Sequence, residues 1–130
     1  MELVKGITGR KDIVVTPDKS AKTVGSGLLE VFATPAMIAL MEETASMSVA
    51  PALAEGSTTV GTLVNISHVA ATPVGAPVWC ETLLTEVEGR KLTFSVKAYD
   101  NAGLIGEGTH ERFIVFSEKF MAKTLAKLDN

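Results

Sequence analysis

The sequence predicts an α+β domain in which one long central helix is wrapped by an antiparallel β-sheet, with a short helix at the C-terminal end. Three observations predict it. Residues 34–50 carry apolar side chains on nearly every helical face. Four β-like runs follow, separated by short turn sequences. Residues 117–128 return to helical spacing, with Phe120, Leu125 and Leu128 among lysines.

The first element is a short strand over Ile13–Pro17. Residues 20–30 contain Gly25 and Gly27 and read as irregular. Thr34 and Pro35 then open the helix. A threonine hydroxyl can cap the first turn, and a proline there sacrifices no hydrogen bond. Pro51 marks the end, because its ring clashes with a continuing helix. Between them stand Ala36, Met37, Ile38, Ala39, Leu40, Met41, Ala45, Met47 and Val49. A helix without a polar face is buried all round, so a sheet must wrap it.

The β-like runs are residues 58–71, 78–87, 92–99 and 104–116. Thr72-Pro73-Val74-Gly75, Glu88-Gly89-Arg90 and Asp100-Asn101-Ala102-Gly103 separate them, and all three suit tight reversals. Short connections predict antiparallel hairpins in a meander. Residues 1–130 form one domain, because a chain of this length leaves little room for two cores.

Hydrophobic residues make up 46% and charged residues 21%, a balance that excludes disorder. A net charge of −3 offers no footprint for nucleic acid or an anionic membrane. One cysteine, Cys80, forbids an intrachain disulfide. No apolar run is long enough to span a bilayer, and the N-terminal residues lack the apolar core of a signal peptide. These features predict a cytoplasmic protein.

No nucleophile elbow, P-loop, dinucleotide fingerprint or metalloprotease motif is present. The two histidines, His68 and His110, have no Cys/His cluster around them, so no metal site and no cofactor are predicted. The unusual groups are polar residues placed among apolar ones. Glu42 and Glu43 interrupt the helix, where apolar surroundings disfavour a charged carboxylate. Strand alternation puts His68 on one face with Val60, Val64, Ile66 and Ala70, the side turned toward the helix. An acid and an imidazole in one helix–sheet space form an acid/base pair; the plainer alternatives are a solvent-reaching glutamate and a satisfied core histidine. A bulge between Val60 and His68 would change which strand residues face inward.

Thr34 either caps the helix or presents its hydroxyl beside free helix N–H groups, where a carbonyl oxygen is stabilised. Arg112, which alternates with Leu104, Gly106, Gly108 and His110 on one strand face, is either a surface cation or an anion contact. Gly61, inside a strand, marks a bulge or a close approach to the backbone. Thr34 and Glu42 lie about 12 Å apart along a straight helix, so they do not touch within it. Either the helix starts later, or a substrate lies along it, or the groups meet across a subunit interface.

Several stretches, in order and in register, resemble the fluoroacetyl-CoA thioesterase family of hotdog proteins. They are Val31–Glu42, Gly61–Gly75, Val87–Arg90, Gly106–Arg112 and Glu118–Lys123. The resemblance implies the hotdog fold, hydrolysis of an acyl-CoA to a carboxylic acid and free CoA, no metal, and a homodimer or higher homo-oligomer. It places Thr34, Glu42 and His68 on the catalytic positions, with Gly61 and Arg112 contacting substrate or CoA and Arg112 gripping its phosphates. One departure stands out. The family's namesake carries a longer, Phe-containing segment before the helix, whereas Thr23–Glu30 here offers only Leu28 and Leu29 to cover the acyl group. The resemblance therefore implies a small or medium acyl chain and not fluoroacetyl specificity. The alternative function is a hotdog domain that binds an acyl-CoA or another metabolite without cleaving it. A hotdog hydratase is less suited, because the His/Asp dyad of that chemistry is absent.

Overall fold

A computed structural model describes residues 1–130. Its strands are β1 (Thr8–Val14), β2 (Ser57–His68), β3 (Pro77–Glu88), β4 (Lys91–Asp100) and β5 (Gly103–Phe116). Its helices are α1 (Ala21–Val24), α2 (Thr34–Val49) and α3 (Ser117–Leu125). All strand pairs are antiparallel, in the order β1-β3-β4-β5-β2. The sheet packs one face on α2. Met37, Leu40, Met41, Ala45 and Val49 from the helix meet Leu84, Leu92, Phe94, Val96 and Ile105 from the strands.

The sequence places β2 to β5 and both long helices within a few residues of their observed limits. Four details differ. First, β1 begins at Thr8, five residues before the expected start. Its polar alternation belongs to an edge strand, where only one side is hydrogen-bonded and neither face is deeply buried. Second, residues 20–30 are not wholly irregular. Ser20 Oγ caps α1 by accepting from the Thr23 N–H at 3.2 Å, and Gly25 ends it in the left-handed region at φ +91°.

Third, α2 is not buried all round. Within the chain its outer face, Ala39, Glu43 and Met47, is exposed, with Met47 at 59%. Five strands of one chain cover only one side of a helix.

Fourth, the strands do not form one continuous meander. β3, β4 and β5 do, through turns whose Gly89 and Gly103 adopt φ +60° and +133°. β2 instead lies beyond β5, at the opposite edge from β1. Residues 69–76 therefore cross the end of the sheet, a span of about 14 Å at ordinary strand spacing.

That crossing is tied down. The Val69 N–H donates to Ile105 O at 2.7 Å, and the Phe32 N–H donates to Thr72 O at 2.8 Å. The buried Thr72 hydroxyl donates to Asp100 Oδ2 at 2.8 Å, while Asp100 Oδ1 accepts from the Ala102 N–H at 2.8 Å. The end of β2 is thus fastened beside the start of α2. Thr72→Val leaves a buried carboxylate short of one donor, and is expected to cost roughly 1–3 kcal/mol of stability. Urea unfolding measures it; an unchanged midpoint would show that the crossing is held elsewhere.

Candidate active site

α2 begins at Thr34, with Ala33 in the extended N-cap position and no side-chain cap. The Thr34 hydroxyl is therefore free for another partner. Its Oγ1 lies 2.7 Å from His68 Nδ1, at the last residue of β2. The N–H groups of the first helical turn, which have no intrahelical acceptor, lie at the same end. A cavity of about 290 Å³ opens there, between Phe32, Val31 and Ala21 on one side and Val69, Ala70 and Ala71 on the other. His68 Nε2 is buried without a protein partner. Burial lowers the His68 pKa below its ordinary value, with the Ala70 backbone opposing, so the ring is neutral near pH 7. Leu28 and Leu29 leave this cavity uncovered within the chain, standing 90% and 69% exposed.

A second cluster lies two turns along α2. Glu42 Oε2 is 3.6 Å from Arg112 Nη1 on β5. Beneath it, β2 carries a bulge between Gly61 and Leu63. A Cβ at position 61 would collide with Glu42 Oε2 and stand 3.4 Å from both Arg112 Nη1 and His110 Cε1. Both readings of Gly61, bulge and close approach, describe what it does. The bulge also changes the strand parity. Thr59 and Gly61 face inward before it, and Ile66 and His68 after it, so Val60 does not share the face of His68.

Arg112 is not the exposed cation that a phosphate contact requires, being only 7% exposed. Its Nε donates to Thr59 Oγ1 at 2.8 Å and its Nη2 to Thr59 O at 2.9 Å. Its Nη1 lies 3.2 Å from His110 Nε2. His110 Nδ1 lies 2.7 Å from Leu63 O. A carbonyl can only accept, so Nδ1 carries the hydrogen; Nε2 then accepts from Arg112. Burial, assisted by the Arg112 charge, lowers the His110 pKa, while Leu63 and Glu42 oppose. The ring is neutral, in agreement with that pattern.

Of the predicted residues, the structure joins Thr34 with His68, and Glu42 with Gly61 and Arg112. It does not bring Glu42 to His68 within one chain. The helix start at Thr34 excludes a later start, so about 12 Å of helix separates Glu42 from Thr34, beside which His68 lies. Nor is Glu42 enclosed by apolar side chains: its own side chain is 41% exposed and charge-paired. Thr59 and His110 enter the site unpredicted. Their only signal was His110 alternating with Arg112 on one strand face. No group of three His, Cys, Asp or Glu side chains is arranged to hold a metal ion. A larger hollow, about 550 Å³, lies across β1, β3 and β4 around Arg10, Glu81 and Lys97, away from both clusters.

Residues 15–118 match the family described as fluoroacetyl-CoA-specific thioesterase. The fluoroacetyl-CoA thioesterase of Streptantibioticus cattleyicolor is 40% identical over 122 residues, 89% of this chain and 88% of that one. A crystal structure of the fluoroacetyl-CoA thioesterase superposes with a TM-score of 0.93 at 38% identity, covering 98% of both chains. Variants of that enzyme have been solved with fluoroacetate and with acetyl-CoA. A thioesterase superfamily member from Thermus thermophilus superposes at a TM-score of 0.89 and 28% identity, covering 98% of this chain and 94% of its own. With a matching family model over most of its length, the chain belongs to the fluoroacetyl-CoA-specific thioesterase family and is a hotdog-fold thioester hydrolase.

Proposed function

We propose that this enzyme hydrolyses a small or medium acyl-CoA to a carboxylic acid and free CoA, using Thr34, Glu42 and His68. The observation that carries the proposal is the Thr34–His68 pair at the helix N-terminus, beside a cavity into which no protein group satisfies His68 Nε2. The helix N–H groups and the Thr34 hydroxyl hold the thioester oxygen as it gains negative charge. Glu42 supplies the oxygen nucleophile, by activating water or by direct attack. His68 moves a proton between water and the departing thiolate. The carbonyl carbon gains the new C–O bond and loses the C–S bond, and CoA leaves as the thiol; after direct attack, water then cleaves the mixed anhydride to release the acid and restore the Glu42 carboxylate. Arg112 positions the Glu42 carboxylate and does not grip phosphate. The family's chemistry favours catalysis over a domain that only binds its ligand.

The two clusters meet across a homodimer in this reading. β2 is an edge strand of 12 residues paired with β5 on one side only, with Leu63 and Val64 at 44% and 46% exposure. Edge pairing of two such strands, together with the exposed face of α2, brings Glu42 of one subunit toward Thr34 and His68 of the other. No helix is long and apolar enough to cross a membrane. A cytoplasmic location suits a CoA-bearing substrate.

Glu42→Gln and His68→Ala are each expected to lower thiol release from acetyl-CoA by about 100-fold or more while the fold persists. Wild-type turnover in either variant removes that residue from the mechanism. Gly61→Ala must displace the carboxylate, so kcat is expected to fall while circular dichroism is unchanged; full activity would show that the seat of Glu42 is unimportant.

The two histidines also predict a pH dependence of stability. Their folded pKa values lie below the ordinary 6.5. Stability from this source is present above 6.5 and is lost as pH falls through the folded values, because the unfolded chain takes up protons first. Urea unfolding is expected to show lower stability at about pH 5.5 than at about pH 7.5. Equal values would contradict a pair of neutral imidazoles.

A further inference from the structure

His110 lies outside the proposed Thr34, Glu42 and His68 set, yet it is 0% exposed. A buried imidazole is costly unless both nitrogens are satisfied, whereas an apolar side chain in the same space needs no partner. Here both nitrogens are used, and each holds a different part of the seat of Glu42. Nδ1–H donates to the carbonyl of Leu63, the residue where the ladder resumes after the β2 bulge. That bulge presents the bare backbone of Gly61 to Glu42 Oε2. Nε2 accepts from Arg112 Nη1, the same nitrogen that lies 3.6 Å from Glu42. Thr59 fixes the rest of the guanidinium at 2.8 and 2.9 Å. Three contacts thus set the plane of the guanidinium, and the carboxylate is what remains within its reach.

We propose that His110 is a positioning residue for Glu42, acting as the neutral Nδ1–H tautomer that pins the β2 bulge with one nitrogen and aims Arg112 with the other. The inference rests on Glu42 being the acid of the hydrolysis. Protonation of His110 would set an N–H against the Arg112 N–H and break the second arm. The charged groups facing the ring are Arg112 on β5 and Glu42 on α2. β2 offers it the Leu63 carbonyl, and β4 offers the stacked ring of Phe94 at 6.2 Å, neither of which titrates.

A ring that merely fills space would be replaced without loss by Phe. The test compares His110→Phe, which keeps the stacking and removes both nitrogens, with His110→Gln and His110→Asn. The Gln carbonyl reaches the place of Nε2 and can accept from Arg112; the Asn amide reaches only the place of Nδ1. With acetyl-CoA as substrate, His110→Phe is expected to lower kcat by about 10- to 100-fold with KM within about twofold. His110→Gln is expected to recover most of that loss and His110→Asn less. Wild-type kcat in His110→Phe, or no recovery in His110→Gln, overturns the proposal. Glu42→Gln is assayed beside them. Full turnover there overturns the acid reading and this inference with it, whereas loss in Glu42→Gln with full activity in His110→Phe removes this inference alone. The ¹⁵N spectrum of the imidazole supplies a readout independent of turnover and of whether the Phe variant folds. Protonated Nδ1 with bare Nε2 at neutral pH is expected, and the opposite tautomer overturns the proposal.

Discussion

α2 and β2 run past each other along one side of the sheet, and the crossing segment, residues 69–76, holds their ends together. It passes from one edge of the sheet toward the other and on the way bonds Ile105, Phe32 and Asp100. Because Phe32 stands two residues before the helix and Val69 immediately follows the strand, these bonds fix where Thr34 meets His68. The same alignment brings Glu42 over Gly61 farther along. Both halves of the site depend on that one registration of helix against edge strand.

The two halves differ in physical character. The Thr34–His68 end is an apolar cavity with one unpartnered ring nitrogen, suited to receiving a carbonyl and moving a proton. The Glu42 end is a buried polar network in which Arg112, His110 and Thr59 satisfy one another and the bulge carbonyl. Such networks stabilise only when every member has a partner, and here the charges and donors close on themselves. Glu42 alone is half in solvent, the one member with reach beyond its own chain. An acid held firmly at the open edge of a subunit suits a site completed by a second copy.

Much of the architecture was legible in sequence because its signals are local. Alternation marks β3, β4 and β5, glycine marks their turns, and the Thr34-Pro35 pair marks the helix start. Parity arguments worked for His110 and Arg112, which share a regular strand face. They failed for Val60, because a bulge shifts the alternation at Gly61 and no local signal says whether a glycine in a strand is a bulge or not. β1 was misplaced for a related reason: an edge strand with neither face deeply buried lacks the apolar alternation that reveals a strand.

By itself, the sequence determined the element order, the single long helix, the candidate residues and, through motifs in register, the family. What only the tertiary structure decided is which of those residues touch. Strand order is set by long-range pairing, so nothing near residue 72 reveals that β2 leaves β3 and joins β5. Burial is likewise a property of the assembled sheet. Arg112 reads as either a surface cation or an anion contact, and becomes a buried anchor because Thr59, His110 and Glu42, from three different elements, converge on its guanidinium.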